Sequence, residues 1–119
     1  MQVVNLTEKL ARFSDYYNPR IIGELNGQQV KLAKLRGDFV WHRHDNEDEL
    51  FLVIKGKLLM DFREMTVGIL PGEMIIVPRG VEHRPRADEE TEIMLFEPAS
   101  TLNTGNTINE LTRTKLEKI

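Results

Sequence analysis

The chain has 119 residues, a net charge of -3 and no cysteine. That length suits one domain around one core, and so mild an acidity leaves no electrostatic footprint for nucleic acid or an anionic membrane surface. The lack of cysteine excludes disulfides, thiol nucleophiles and thiolate metal ligands.

In chain order, Leu6, Leu10 and Phe13 are spaced like one face of a short N-terminal helix. This segment lacks the apolar run of a signal peptide, and no window is long enough for a membrane-spanning helix, so a cytoplasmic location is expected. From Arg20 the texture changes to short strands punctuated by turns. Asn26-Gly27 sits at the centre of "IIGELNGQQVKLAKL" and predicts a hairpin, because both residues tolerate positive φ. The segments "DFVWHRH", "ELFLVIK", "KLLMDF", "EMIIV" and "TEIMLFE" follow as strands. Leu70-Pro71-Gly72-Glu73 suits a type II turn. Short strands without intervening helices predict an all-β sandwich or barrel. Residues 1–119 are taken as one domain, with the barrel core over about 20–98 and a C-terminal tail over 99–119. In the tail, Thr107 and Glu110 have capping-box spacing, so a short helix or a loose end is expected there, with no visible chemistry.

The chemistry lies in "WHRHDNEDELF" and "PRGVEHRP", which hold all three histidines. Residues two apart in a strand share a face, so His42 and His44 should project together with Val40, and Phe39, Trp41 and Arg43 should point away. The turn-forming "DNED" allows Glu49 to open the next strand and face them. Phe51 and Val53 would then line the same interior. His83 follows the turn "PRG" and can supply a third imidazole. A lone His-x-His is a weak signal. Three histidines and a carboxylate at reconcilable spacings point to a ligand set for a divalent transition metal.

These residues carry a resemblance to the cupins. His42, His44, Glu49 and Gly56 match the first family motif, and Gly72, Pro78, Gly80 and His83 match the second. Asp48 fits a shorter variant of the first motif, but the spacing to Gly56 selects Glu49. Gly37 lies one residue too close, and Ala87 stands where an asparagine often closes the second motif. The resemblance implies a cupin-type jelly-roll β-barrel with one metal held by His42, His44, Glu49 and His83. Three neutral imidazoles and one carboxylate leave two positions open on a six-coordinate ion, which suits iron, manganese or nickel; zinc, which prefers four ligands, is possible. Similar single-domain cupins include dioxygenases, isomerases, lyases and decarboxylases acting on small polar molecules. The alternative within the same family is a non-catalytic small-molecule binding or sensing barrel, and fold alone does not choose.

Beyond the ligands, Phe51 is the best pocket wall, with Val53 and Val40 beside it. Arg84 and Arg86 should point outward as surface residues. Arg79 is a solvated turn residue or meets an anionic ligand. Phe62, Met94 and Phe96 read as core. "LFLVI", "MIIV" and "IMLF" are apolar on both faces. With outward Phe39 and Trp41, they predict a homodimer that buries the face opposite the metal, unless the N-terminal segment covers it.

Overall fold

Asn26 and Gly27 both take positive φ, 50° and 78°. They turn β1 (Arg20–Leu25) back onto β2 (Gln28–Asp38) in the hairpin their residue types demand. The computed structural model describes residues 1–119 and is nearly all β, with antiparallel pairing throughout the named strands. The remaining strands are β3 (Glu49–Lys55), β4 (Leu58–Asp61), β5 (Thr66–Ile69), β6 (Met74–Val77) and the long β7 (Arg84–Pro98). One helix, α1 (Leu6–Leu10), precedes them; the Asn5 side chain caps it by accepting from the Glu8 N–H at 3.0 Å. The sheet order is β1-β2-β7-β3-β6, and β4, carrying β5, pairs with the start of β7. β7 thus joins both halves of a jelly-roll barrel. Its end lies between β2 and β3, and its start between β2 and β4. Leu70 to Glu73 turn as expected, with Gly72 at φ +82° and the Glu73 N–H bonded to the Leu70 carbonyl at 2.9 Å.

Strand alternation builds the interior. In β3, Glu49, Phe51 and Val53 are buried and the residues between them half-buried. Ile93 and Leu95 of β7, Ala33 and Leu35 of β2, and Leu58 and Met60 of β4 complete the same core. A smaller cluster lies outside the sheet, where Leu10 and Phe13 pack on Leu32, with Met94 and Ile119 at its edge. Of the expected core residues, Phe62, Met94 and Phe96 are half-buried, and Met94 serves the outer cluster.

Three expectations are corrected. "DFVWHRH" is not a strand: β2 ends at Asp38, and only an isolated bridge joins His42 to His83. The β2–β7 register is irregular between Leu35 and Gly37, where Gly37 takes φ +77°, and pairing resumes only for Gly37 and Asp38. Phe39 turns inward, in the parity of the buried Ala33 and Leu35, and stacks on Tyr17 with ring centroids 4.8 Å apart. Trp41 does point away, but the Arg63 guanidinium lies over its ring at 3.9 Å and Arg84 at 5.4 Å. The tail is neither helical nor loose. Asn109 and Asn103 side chains accept from the Leu111 and Arg113 N–H groups, offering the backbone partners that compete with a helix. Further on, the chain end pairs with β1 through Ile21 N–H to the Glu117 carbonyl and Ile119 N–H to the Ile21 carbonyl.

Arg84 and Arg86 are not free surface residues. Both bond the buried Asp61, Arg84 Nη2 at 2.9 Å and Arg86 Nε at 2.8 Å, and Thr66 adds a hydroxyl at 2.6 Å. Burial pushes the Asp61 carboxyl up, but the hydrogen bonds from Arg86, Thr66 and Arg84 outweigh it and hold the group down to about 2. A carboxyl depressed on folding stabilises above its unfolded value of 3.8, and that gain is lost as pH falls from there through about 2. Asp61→Asn should therefore cost ~1–2 kcal/mol at pH 7, discounted for solvent near the half-exposed arginines. Urea melts of both proteins at pH 7 and pH 2.5 check this. A cost undiminished at the lower pH would show that charge is not its origin.

Candidate metal centre

The bend after Gly37 carries His42 and His44 into the barrel, and the bridge to His83 fixes the third imidazole opposite. His42 and His83 exchange backbone hydrogen bonds of 3.0 and 2.9 Å. On the far side, the Gly80 N–H bonds the His44 carbonyl at 2.8 Å. Glu49, at the start of β3, comes up beneath them. The structure thus brings together all four residues singled out as ligands. His42, His44, Glu49 and His83 are buried, and their candidate ligand atoms lie within 4.8 Å of one another.

The donor set fits a divalent cation in its details. His42 Nδ1 and His83 Nδ1 lie 2.9 Å from the carbonyls of Val40 and Val81. Each carbonyl can only accept, so each Nδ1 carries the proton and each Nε2 keeps its lone pair for a metal. His44 Nε2 stands 2.8 Å from Glu49 Oε1 but is not aligned for a hydrogen bond, which leaves it buried without a partner. His83 Nε2 lies 3.2 Å from the same oxygen. Metal–ligand bonds of about 2.1 Å place neighbouring donors ~3 Å apart, the spacing of these two contacts to Glu49. Burial above all lowers the His42 pKa to about 4, so this imidazole is neutral and ready to ligate at pH 7. Burial works to raise Glu49, but the adjacent Glu97, His44 and His83 side chains hold it well below the usual carboxylate range.

Glu97 is the site residue that sequence reasoning missed. It is buried near the end of β7, faces Glu49, and pairs with the equally buried Lys31 at 2.7 Å. Burial, then the charge of Glu49, raises its pKa well above the usual range, against the pull of Lys31. Its second carboxyl oxygen has no donor. The signal was in "TEIMLFE", where Glu97 shares the inward parity of Ile93 and Leu95.

A narrow cavity of about 40 Å³ reaches this cluster from the barrel interior. Phe51 lines it, as do Phe39, Tyr17 and Leu35, and His42, Glu49 and Glu97 form its polar end. Val53 lies in the core beside the cavity, not in its wall. Val40 is half-buried and contributes its carbonyl to His42 instead of a side chain to the wall. A polar surface pocket of about 180 Å³ lies beyond His44, lined by the "DNE" turn and by tail residues including Gly105 and Asn106. Arg79 is tied to Asp48, whose carboxylate accepts its backbone N–H at 2.8 Å.

Barrel and ligand set together define a cupin, a jelly-roll domain with a three-histidine, one-glutamate cluster at its centre. The chain belongs to the cupin domain family, whose model matches residues 28–97. It is similar to a cupin-2 domain containing protein from Shewanella frigidimarina, with a TM-score of 0.80 and 45% identity over 81% of this chain and 94% of that one. It is 38% identical to protein YdbB of Bacillus subtilis over 81 residues, which is 67% of this chain and 66% of that one. It is 33% identical to acireductone dioxygenase 1 of Coprinopsis cinerea over 66 residues, half of this chain and 36% of the relative's length.

Proposed function

We propose that the protein is a small metalloenzyme in which His42, His44, Glu49 and His83 hold one divalent iron, manganese or nickel ion that acts on a small molecule, in a reaction of dioxygenase, isomerase or lyase type. The observation that carries this reading is the convergence of four buried donors, two of them oriented by backbone carbonyls. The similarity to an acireductone dioxygenase over one segment favours the oxygenase branch. When bound, such an ion supplies a Lewis acid and, if redox-active, a one-electron couple. The chain's own groups set the conditions. Glu49 offsets part of the ion's charge, Phe39 and Phe51 keep the interior dry, and Glu97 sets a second carboxyl beside Glu49. The narrow cavity selects a small substrate or a small fragment of a larger one.

The test is to load the protein with Fe(II), Mn(II) or Ni(II) without oxygen and then offer small enediols, hydroxy acids and keto acids, with and without oxygen. The expected result is turnover that needs one of these metals and is lost in His83→Ala. Ligands bound but returned unchanged with every metal would make the protein a binding or sensing barrel.

We also propose a homodimer over the outward face of β3, β6 and β7, without Trp41, whose ring Arg63 and Arg84 already occupy. Strand register aligns Phe96, Leu50 and Ile76 in one row, and Met94, Leu52 and Met74 in the next. The N-terminal segment covers the Met94 end of this face. Met74 and Ile76 remain more than half exposed at the other. An apolar stripe of this kind suits a second copy. Light scattering should give twice the 13.8 kDa chain mass, falling to one chain in Ile76→Lys. A single-chain mass for the unaltered protein would rule the dimer out.

A further inference from the structure

Trp41, His42 and Arg43 form a ribbon with partners on both edges. On one edge His42 pairs with His83. On the other lies the C-terminal segment. The Arg43 N–H donates to Asn106 Oδ1 at 2.8 Å, and the Arg43 carbonyl accepts from the Asn106 N–H at 3.1 Å. Thr107 Oγ1 donates to the Trp41 carbonyl at 3.0 Å. Gly105 makes this approach possible. A Cβ there would stand 2.2 Å from the Arg43 oxygen and 3.1 Å from His42 Cδ2, at a φ of +55°. The family model ends at residue 97, so this contact is added to the barrel and is not part of its common frame.

Arg43 is the one residue between His42 and His44. Its peptide groups govern how the two imidazoles stand relative to each other, and Asn106 engages both its N–H and its carbonyl. Side chains that ligate a metal need such support, because a small rotation of the ribbon swings an Nε2 off the ion.

We propose that Asn106 is a positioning residue of the metal centre, which holds His42 and His44 at ligating separation by clamping the Arg43 backbone from the C-terminal segment. The inference rests on the metal-binding reading above.

The test uses the full chain with Co(II) as probe, read by calorimetric affinity and by the visible spectrum of the bound ion. Failure of the unaltered protein to bind Co(II) would overturn the metal reading itself, and the positioning role with it. Given binding, Asn106→Ala should weaken Co(II) about 10-fold and shift the spectrum, as loss of an orienting partner does elsewhere. Asn106→Asp keeps an oxygen acceptor for the Arg43 N–H and should restore both. Ser100→Ala loses a tail bond to the Glu47 carboxylate that does not engage the Arg43 backbone, and should bind like the unaltered protein. Should Asn106→Ala fail to fold, Thr107→Val carries the same expectation through the Trp41 carbonyl. Unchanged affinity and spectrum in the folded variant would overturn the positioning role alone. So would an Asn106→Asp variant as weak as Asn106→Ala, or an equal loss in Ser100→Ala.

Discussion

Stripping the metal with a chelator is expected to lower the melting temperature by roughly 10–20 °C while leaving a folded barrel. An ion present at ~1,000 times its dissociation constant stabilises the native state by about 4 kcal/mol through mass action, which for a domain of this size corresponds to that shift. The apo form should survive because the ligands sit at one end of a core they do not build. The cluster of Leu35, Phe51, Val53, Leu58, Met60 and Ile93 is packed without them. The emptied site is also partly self-satisfied, since His42 and His83 keep their carbonyl partners. Circular dichroism melts before and after chelation measure the shift. An apo sample with no folded baseline would show that the metal is required for folding, and an unmoved transition would show that no ion was bound.

Replacing His42 and His83 together with alanine is expected to weaken metal binding by more than the 10–100-fold typical of losing one orienting partner. The two rings face each other with centroids 4.3 Å apart. Their loss leaves His44 and Glu49 as the remaining two of the four candidate donors. The backbone bridge between positions 42 and 83 does not depend on the rings, so the ribbon should keep its path. The cost to the apo fold is set by the cavity left behind.

Much of this centre was legible in the chain because its signals are local. Asn26-Gly27 names its own turn, "DNED" announces a reversal before Glu49, and the three histidines are confined to two short segments, which the His42–His83 bridge joins. What was not legible depends on partners distant in sequence. Phe39 follows the inward parity of Ala33 and Leu35, and His42 and His44 face inward as well only because the chain leaves β2 at Asp38, which alternation along one continuous strand cannot anticipate. Asp61 looks like a strand end until Arg84 and Arg86 arrive from β7. Lys31 and Glu97 are 66 residues apart, and neither suggests a buried pair by itself. The tail resembled a marginal helix, yet its asparagines bond to backbone, and Asn106 bonds to the ribbon that carries the ligands. Local chemistry located the cluster of His42, His44, Glu49 and His83, and tertiary contacts supply what holds it together.

The most direct test is the metal content of protein purified without chelators, measured by elemental analysis beside the His42→Ala, His83→Ala double variant. One divalent transition metal per chain is expected in the unaltered protein and close to none in the variant. Equal metal in both, or none in either after incubation with Fe(II), Mn(II), Ni(II) and Zn(II), would contradict the assignment of His42, His44, Glu49 and His83 as a metal centre.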